Sequence, residues 1–133
     1  MTNNQAVADA TDNFYAALNL LFTGDVQAMK EAWDHADDIS YMGPEGLYLI
    51  GWEKIEQMWV NTAAMKLGGR VTPVQLHKIV GTDMAVVNCI ESGENQVAGN
   101  TEIVSIRSST VFQKRNGLWK IIGHQTDLLK FLH

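Results

Sequence analysis

The spacing of apolar residues changes along the chain from a helical period to a strand period. From Val7 to Leu21, apolar side chains recur at steps of three and four residues, which is typical of one face of an amphipathic helix. Asp25 is a suitable N-cap for a second, shorter helix. From Trp52 to Leu67 the helical spacing returns and stops at two glycines. The first half of the chain therefore predicts three helices.

Strand patterns occupy the rest of the chain. The segment "DISYMGPEGLYLIGW" predicts a hairpin of two short strands, Ile39–Met42 and Leu47–Ile50, around a Gly-Pro-Glu-Gly turn. After Arg70, strand-like segments alternate with turn signals, and "GENQVAGN" predicts a loop between two of them. Asn116-Gly117 is a strong hairpin signal. Four consecutive long strands predict an antiparallel meander.

Helices followed by a meander indicate an α+β fold, with three N-terminal helices packed on one face of a curved antiparallel sheet. A chain of 133 residues has the length of one domain, which we place at residues 1–133. Its 46% hydrophobic and 19% charged residues are typical of a globular protein with a packed core.

The charge pattern excludes several classes of partner. The formal net charge is −5, and no cluster of Lys and Arg side chains stands out, so we expect neither nucleic acid nor an anionic membrane surface as a ligand. The sequence has no apolar run long enough to span a membrane and no secretory signal, which predicts a cytoplasmic protein. Cys89 is the single cysteine, and its apolar neighbours predict a buried thiol without a disulfide.

Two long strings resemble a known superfamily. These are "GDVQAMKEAWDHADDISYMGPEGLYLIGWEKI" near the start and "RSSTVFQKRNGLWKII" with "HQTD" at the end. The order of elements and both strings resemble the nuclear transport factor 2-like superfamily, and within it the SnoaL-like domains. The resemblance implies a cone-shaped fold with a pocket at its wide end. It also implies a homodimer formed through the outer face of the sheet.

The sequence departs from this resemblance at positions that carry chemistry. In ketosteroid isomerase, one member of the superfamily, an aspartate precedes a proline after the first strand, and Gly43 occupies that position here. The tyrosine of its first helix corresponds to Phe14, or to Tyr15 after a slip of one residue. Tyr15 therefore stays a ligand-binding candidate. Histidines common in the last strand of related domains fall on Gly123 and Gln125.

Strict alternation along the last strand predicts which of its side chains enter the pocket. Alternation places on one face Trp119, Ile121, Gly123, Gln125 and Asp127. Because Trp119 and Ile121 are apolar, we expect this face to be the inner one and His124 to point to the dimer face. Asp127 is then a candidate general acid or base, and Gln125 a candidate ligand-binding group. The alternative is that Asp127 is a solvated strand end or a helix cap.

Other candidates carry an alternative structural interpretation as well. In a functional role, Arg107 pairs with Asp127 or binds a ligand carboxylate. In the structural alternative, it is a surface or dimer-interface residue. Glu91 either serves as a second carboxylate or faces solvent. Tyr41 is the aromatic residue that we most readily assign to the pocket, as an orienting hydroxyl beside Asp127. Two tryptophans line the pocket or simply fill the core: Trp33 and Trp59.

Two classes of function remain open. The sequence contains no HExxH, GxSxG, Walker or GxGxxG motif, so we expect no metal and no cofactor. The first class is a protein that binds a small, mostly apolar organic molecule and isomerises, dehydrates or cyclises it by acid/base chemistry. The alternative is a non-catalytic ligand-binding or dimerisation module, or an adaptor.

Overall fold

A computed structural model describes all residues 1–133. Its three helices are α1 Asn3–Leu21, α2 Gln27–Ala32 and α3 Trp52–Met65. Its six strands are β1 Ser40–Met42, β2 Tyr48–Ile50, β3 Arg70–Val80, β4 Met84–Val97, β5 Asn100–Arg115 and β6 Leu118–Thr126. None of the helices combines the length and the apolar character needed to cross a bilayer.

The strands form one mixed sheet with the order β2-β1-β6-β5-β4-β3. Strands β3 to β6 pair antiparallel in chain order, which confirms the predicted meander. The predicted hairpin is also confirmed, since β1 pairs antiparallel with β2. Strand β1 then adds to the meander in parallel with β6. The N-terminal helices pack on one face, so the predicted α+β fold is confirmed.

The prediction of a loop over "GENQVAGN" is wrong. Strand β4 continues to Val97 and β5 begins at Asn100, so only Ala98 and Gly99 form the turn. Both have positive φ angles, 52° and 80°, which match a tight two-residue hairpin turn. Glycine and asparagine in this string suggested a longer loop, but the ladder between the two strands continues through them.

The core lies between the helices and the inner face of the sheet. Helix α1 buries a stripe that includes Phe14, Leu18 and Leu21, as its helical spacing predicts. A capping box at Thr2 satisfies backbone groups at its first turn. Helix α3 adds Ile55 to the same core.

A β-bulge in β6 changes the direction of every side chain that follows it. Val111 of β5 pairs with Gly123, whereas the next residue, Phe112, pairs with Ile121. Ile122 is thus an extra residue without a partner on β5. Before the bulge, Ile121 points into the core; after it, the alternation restarts one residue out of phase.

Candidate functional site

A cavity of about 50 Å³ lies between α1, α3 and the inner face of the sheet. Much of its wall is apolar and is formed by Phe14, Leu18, Phe22, Trp59, Val104 and Ile106. Four ionisable side chains also line it: Tyr41, Glu45, Glu91 and His124. The cavity therefore combines an apolar wall with a few polar groups, which is typical of a small-molecule site.

Glu91 is a buried carboxyl group on the inner face of β4. Its residue is only 5% exposed, since alternation in β4 places it on the same face as Ala85, Val87 and Cys89. The Tyr15 hydroxyl donates a hydrogen bond of 2.9 Å to Glu91 Oε2. Burial raises the pKa of Glu91 to about 7, although the Tyr15 hydrogen bond partly opposes this shift. Near neutral pH the carboxyl group can therefore both accept and release a proton.

Tyr15 is the fixed hydrogen-bond donor of this group. Burial, and then the nearby charge of Glu91, raise the pKa of Tyr15 above its usual range, so its hydroxyl stays protonated. The same hydroxyl lies 3.1 Å from Cys89 Sγ and 3.4 Å from Ser108 Oγ. Tyr15 is thus anchored between α1 and the sheet and orients Glu91.

His124 completes the polar cluster of the cavity. Its Nε2 lies 3.6 Å from Glu91 Oε2, and its Nδ1 lies 2.8 Å from Thr110 Oγ1. The imidazole packs between the rings of Phe14 and Tyr41, with centroid distances of 5.0 and 6.2 Å. Burial lowers the pKa of His124 to about 4, so the ring is neutral near pH 7.

Tyr41 and Glu45 form a second polar pair in the wall. The Tyr41 hydroxyl donates a hydrogen bond of 3.0 Å to Glu45 Oε2. Burial raises the pKa of both groups. Glu45 Oε1 is buried and has no hydrogen-bond partner. The cavity wall thus holds two carboxyl groups, and each accepts a hydrogen bond from a tyrosine hydroxyl group.

The structure brings several of the predicted site residues together. Tyr41, Trp59 and Glu91 line the cavity, and Tyr15 hydrogen-bonds to Glu91. Trp33 does not line it; its ring lies 6.1 Å from that of Trp59, and it fills the core. Because Glu91 is buried and lines the cavity, the alternative that it faces solvent is wrong.

The predicted placement of Gln125 and Asp127 in the pocket is wrong, as is that of His124 on the dimer face. Because of the bulge at Ile122, His124 enters the cavity while Gln125 lies exposed on the outer face of the sheet. Asp127 follows on the outer side, where its side chain is 38% exposed. The bulge is the physical reason for all three errors.

Asp127 instead forms the predicted pair with Arg107, on the outer face. Arg107 Nε and Nη2 each donate a hydrogen bond of 2.9 Å to the carboxylate, and the Arg107 backbone N–H donates a third. These hydrogen bonds lower the pKa of Asp127 to about 2, so it is ionised at neutral pH. Both side chains line an open polar groove on the outer face, separated from the cavity by the sheet.

Sequence reasoning missed Glu45 and the cavity role of His124. One signal for His124 is visible in "WKIIGH", where two consecutive isoleucines interrupt strict alternation, as expected at a bulge. No comparable signal marks Glu45, which lies in the turn between β1 and β2. No group of three His, Cys, Asp or Glu side chains lies close enough to hold a metal ion.

The family profile described as a SnoaL-like domain matches residues 7–126. The chain belongs to the SnoaL-like domain family. The match covers all six strands and the three helices except the first residues of α1. A comparison with curated proteins finds no match.

Solved structures with similar folds support the architecture of this SnoaL-like domain. A proposed dehydratase of the nuclear transport factor 2-like family from Streptomyces avermitilis has a TM-score of 0.83 and 19% identity, over 96% of this chain and 97% of that chain. A protein with a cystatin-like fold from Novosphingobium aromaticivorans has a TM-score of 0.74 and 17% identity, over 96% and 82%. The association domain of CaMKII from C. elegans has a TM-score of 0.70 and 16% identity, over 94% and 97%. At these identities the likeness establishes the fold.

Proposed function

We propose that the protein binds a small, mostly apolar organic molecule in the cavity and catalyses proton transfer on it without a cofactor. The observation that carries this proposal is the position of Glu91 in the cavity wall, with a pKa of about 7 and a hydrogen bond from Tyr15. A general acid or base works best when its pKa lies near the working pH. Isomerisation, dehydration and cyclisation are the reaction classes that begin with such a transfer.

The polar groups of the cavity have distinct roles in this proposal. The Glu91 carboxylate takes a proton from a carbon beside a carbonyl group of the ligand, and Tyr15 keeps the carboxylate in place. The protonated Glu91 then returns the proton to the ligand, to another carbon in an isomerisation or to the leaving hydroxyl group in a dehydration. Neutral His124, whose Nε2 lies 3.6 Å from Glu91 Oε2, forms the uncharged polar wall beside it. Tyr41 donates its one hydroxyl proton to Glu45 Oε2 and so holds Glu45 in the cavity wall.

A ligand must displace part of the protein to enter. The cavity of about 50 Å³ is much smaller than common ligand sites, which measure roughly 300–1,000 Å³. Leu129 and Leu132 of the C-terminal segment form one wall. The Leu129 N–H donates to the Pro44 carbonyl oxygen at 3.0 Å, and the segment has no helix or strand. We propose that this segment opens to admit the ligand.

Shortening the Leu129 side chain in this wall should make room for a ligand. Leu129→Ala is expected to lower stability by roughly 2–3 kcal/mol, because Leu129 is only 8% exposed, and to increase the affinity for cyclohexanone severalfold. Thermal melts with and without cyclohexanone measure both effects. Leu128→Ala is the matched control, since Leu128 is 53% exposed. An equal ligand-induced shift in both variants would contradict the proposed entrance.

The proposed chemistry is tested by hydrogen exchange on a ketone. Cyclohexanone is incubated with the protein in heavy water, and loss of the proton signals beside the carbonyl is followed by NMR. We expect catalysed exchange whose rate rises as the pH passes about 7, where Glu91 ionises. Binding without exchange would instead favour a non-catalytic ligand-binding module.

We also propose that two copies of the chain pair through the outer face of the sheet. Apolar side chains are exposed there, among them Val74 and Ile79, which pair with Ile90 and Val86 of β4. Light scattering at several concentrations should give twice the mass of one chain. A single-chain mass at all concentrations would rule out this pairing.

A further inference from the structure

Of the four buried polar side-chain atoms without a hydrogen-bond partner, two belong to residues that line the cavity. One is Trp59 Nε1, a donor, on a residue that is only 3% exposed. The other is Glu45 Oε1, an acceptor when the carboxyl group is ionised. Both residues line the cavity. A buried polar atom without a partner is costly, so each atom is a place where a ligand gains by forming a hydrogen bond.

The charges in the wall are of one sign. The lining contains Glu45 and Glu91 but neither a lysine nor an arginine. His124 is neutral near pH 7, since burial lowers its pKa to about 4. Arg107 lies on the opposite side of the sheet and cannot reach the cavity. An organic anion would therefore lose its hydration without meeting a positive charge.

An ammonium group meets only one of these two needs. It would be attracted to the carboxyl groups, but it has only donors and would leave the N–H of Trp59 without an acceptor. A hydroxyl group can donate one hydrogen bond and accept others. It can thus bond to the donor of Trp59 and to the acceptor of Glu45 while remaining uncharged.

We propose that the cavity prefers an uncharged molecule that carries a hydroxyl group in addition to the carbonyl group at which proton transfer occurs, that this hydroxyl pairs with Trp59 Nε1 and Glu45 Oε1, and that the cavity excludes organic acids. This inference rests on the proposed function, because it assumes that the cavity admits a ligand. It adds the chemical class of that ligand and the two atoms that select it.

The test compares three probes built on the same six-membered carbon ring: cyclohexanol, cyclohexanecarboxylate and cyclohexylammonium. The protein has four tryptophans, so its proton–nitrogen correlation spectrum contains four indole N–H signals, which triple-resonance assignment identifies. Cyclohexanol is expected to move the Trp59 signal downfield in a saturable way. The signals of Trp33 and Trp119 should stay in place, since neither residue lines the cavity. The two charged probes should leave all four signals unchanged.

A Trp59 variant then measures how much the hydrogen bond from Trp59 Nε1 contributes to the affinity for cyclohexanol. Trp59→Phe keeps an aromatic ring but removes the indole donor, and it should weaken cyclohexanol binding about threefold to tenfold, the value of one neutral hydrogen bond. Trp119→Phe is the matched control and should bind cyclohexanol as the unmodified protein does.

The outcomes separate the inference from the proposed function. Saturable binding of the carboxylate or the ammonium probe that Glu91→Gln alters would overturn the hydroxyl specificity and leave a functional cavity. Cyclohexanol binding without movement of the Trp59 signal would overturn the specificity in the same way. If none of the three probes binds at millimolar concentration while the protein still exchanges the protons of cyclohexanone, the specificity falls and the cavity function stands; if cyclohexanone is not exchanged either, both fall.

Discussion

Replacing Glu91 with glutamine is expected to lower the catalysed exchange of cyclohexanone protons by about 100-fold or more. Glutamine has nearly the same shape as glutamate but cannot accept the proton, and a positioned acid or base contributes roughly 10²–10⁴-fold to a rate. The Tyr15 hydroxyl can still donate to the amide oxygen, so the wall of the cavity should keep its geometry. The NMR exchange assay, run at pH 8, measures the effect.

Two control variants test whether the loss of rate is specific to Glu91. Glu94→Gln makes the same chemical change on the same strand, but Glu94 is exposed, so the rate should stay within twofold of the unmodified protein. Asp127→Asn removes the carboxylate on the outer face, and we expect it to leave the exchange rate equally unaffected. A large loss of rate in Asp127→Asn, with Glu91→Gln still active, would return the acid/base role to Asp127 and contradict the proposed site.

The second large effect concerns the pH dependence of stability. Glu91 has a folded-state pKa of about 7, above its ordinary value, so its stabilising contribution is complete at low pH and is lost as the pH rises toward 7. His124 has a folded-state pKa of about 4, below its ordinary value, so its contribution is complete above pH 6.5 and is lost as the pH falls toward 4. Between about pH 4.5 and 6.5 the two effects oppose each other and nearly cancel.

Single substitutions should therefore change the pH dependence of the free energy of unfolding in opposite directions. In Glu91→Gln, only the His124 effect remains, and the free energy of unfolding should fall by roughly 1–3 kcal/mol between pH 6.5 and 4.5, relative to the unmodified protein. In His124→Gln, the free energy of unfolding should instead rise over the same interval. Urea titrations at several pH values measure both slopes.

The double variant provides the control for this pair. With both groups replaced, the pH dependence between 4.5 and 6.5 should again resemble that of the unmodified protein, because the two opposing proton-binding groups are gone together. Parallel curves for the unmodified protein and both single variants would mean that neither group titrates abnormally in the folded state, and would remove the basis for assigning Glu91 a pKa near 7.

Local patterns along the chain are enough to predict the order and type of almost every element. Helical spacing from Val7 to Leu21 and from Trp52 to Leu67 reflects burial of one helix face, which is a local property of the chain. The turn at Asn116-Gly117 also follows from local backbone preferences. The fold class and the family resemblance rest on such local patterns, and the profile match over residues 7–126 agrees with them.

The set of side chains that share the cavity depends instead on long-range contacts. Glu91 and Tyr15 are 76 residues apart in sequence, and no local pattern indicates that their side chains meet. The face occupied by His124 depends on one unpaired residue, Ile122, whose extra position is defined by pairing with β5. Since side chains alternate with a period of two, a single inserted residue exchanges the inner and outer faces for the rest of the strand. The long-range register of β5 and β6 therefore placed His124 in the cavity and Asp127 outside it.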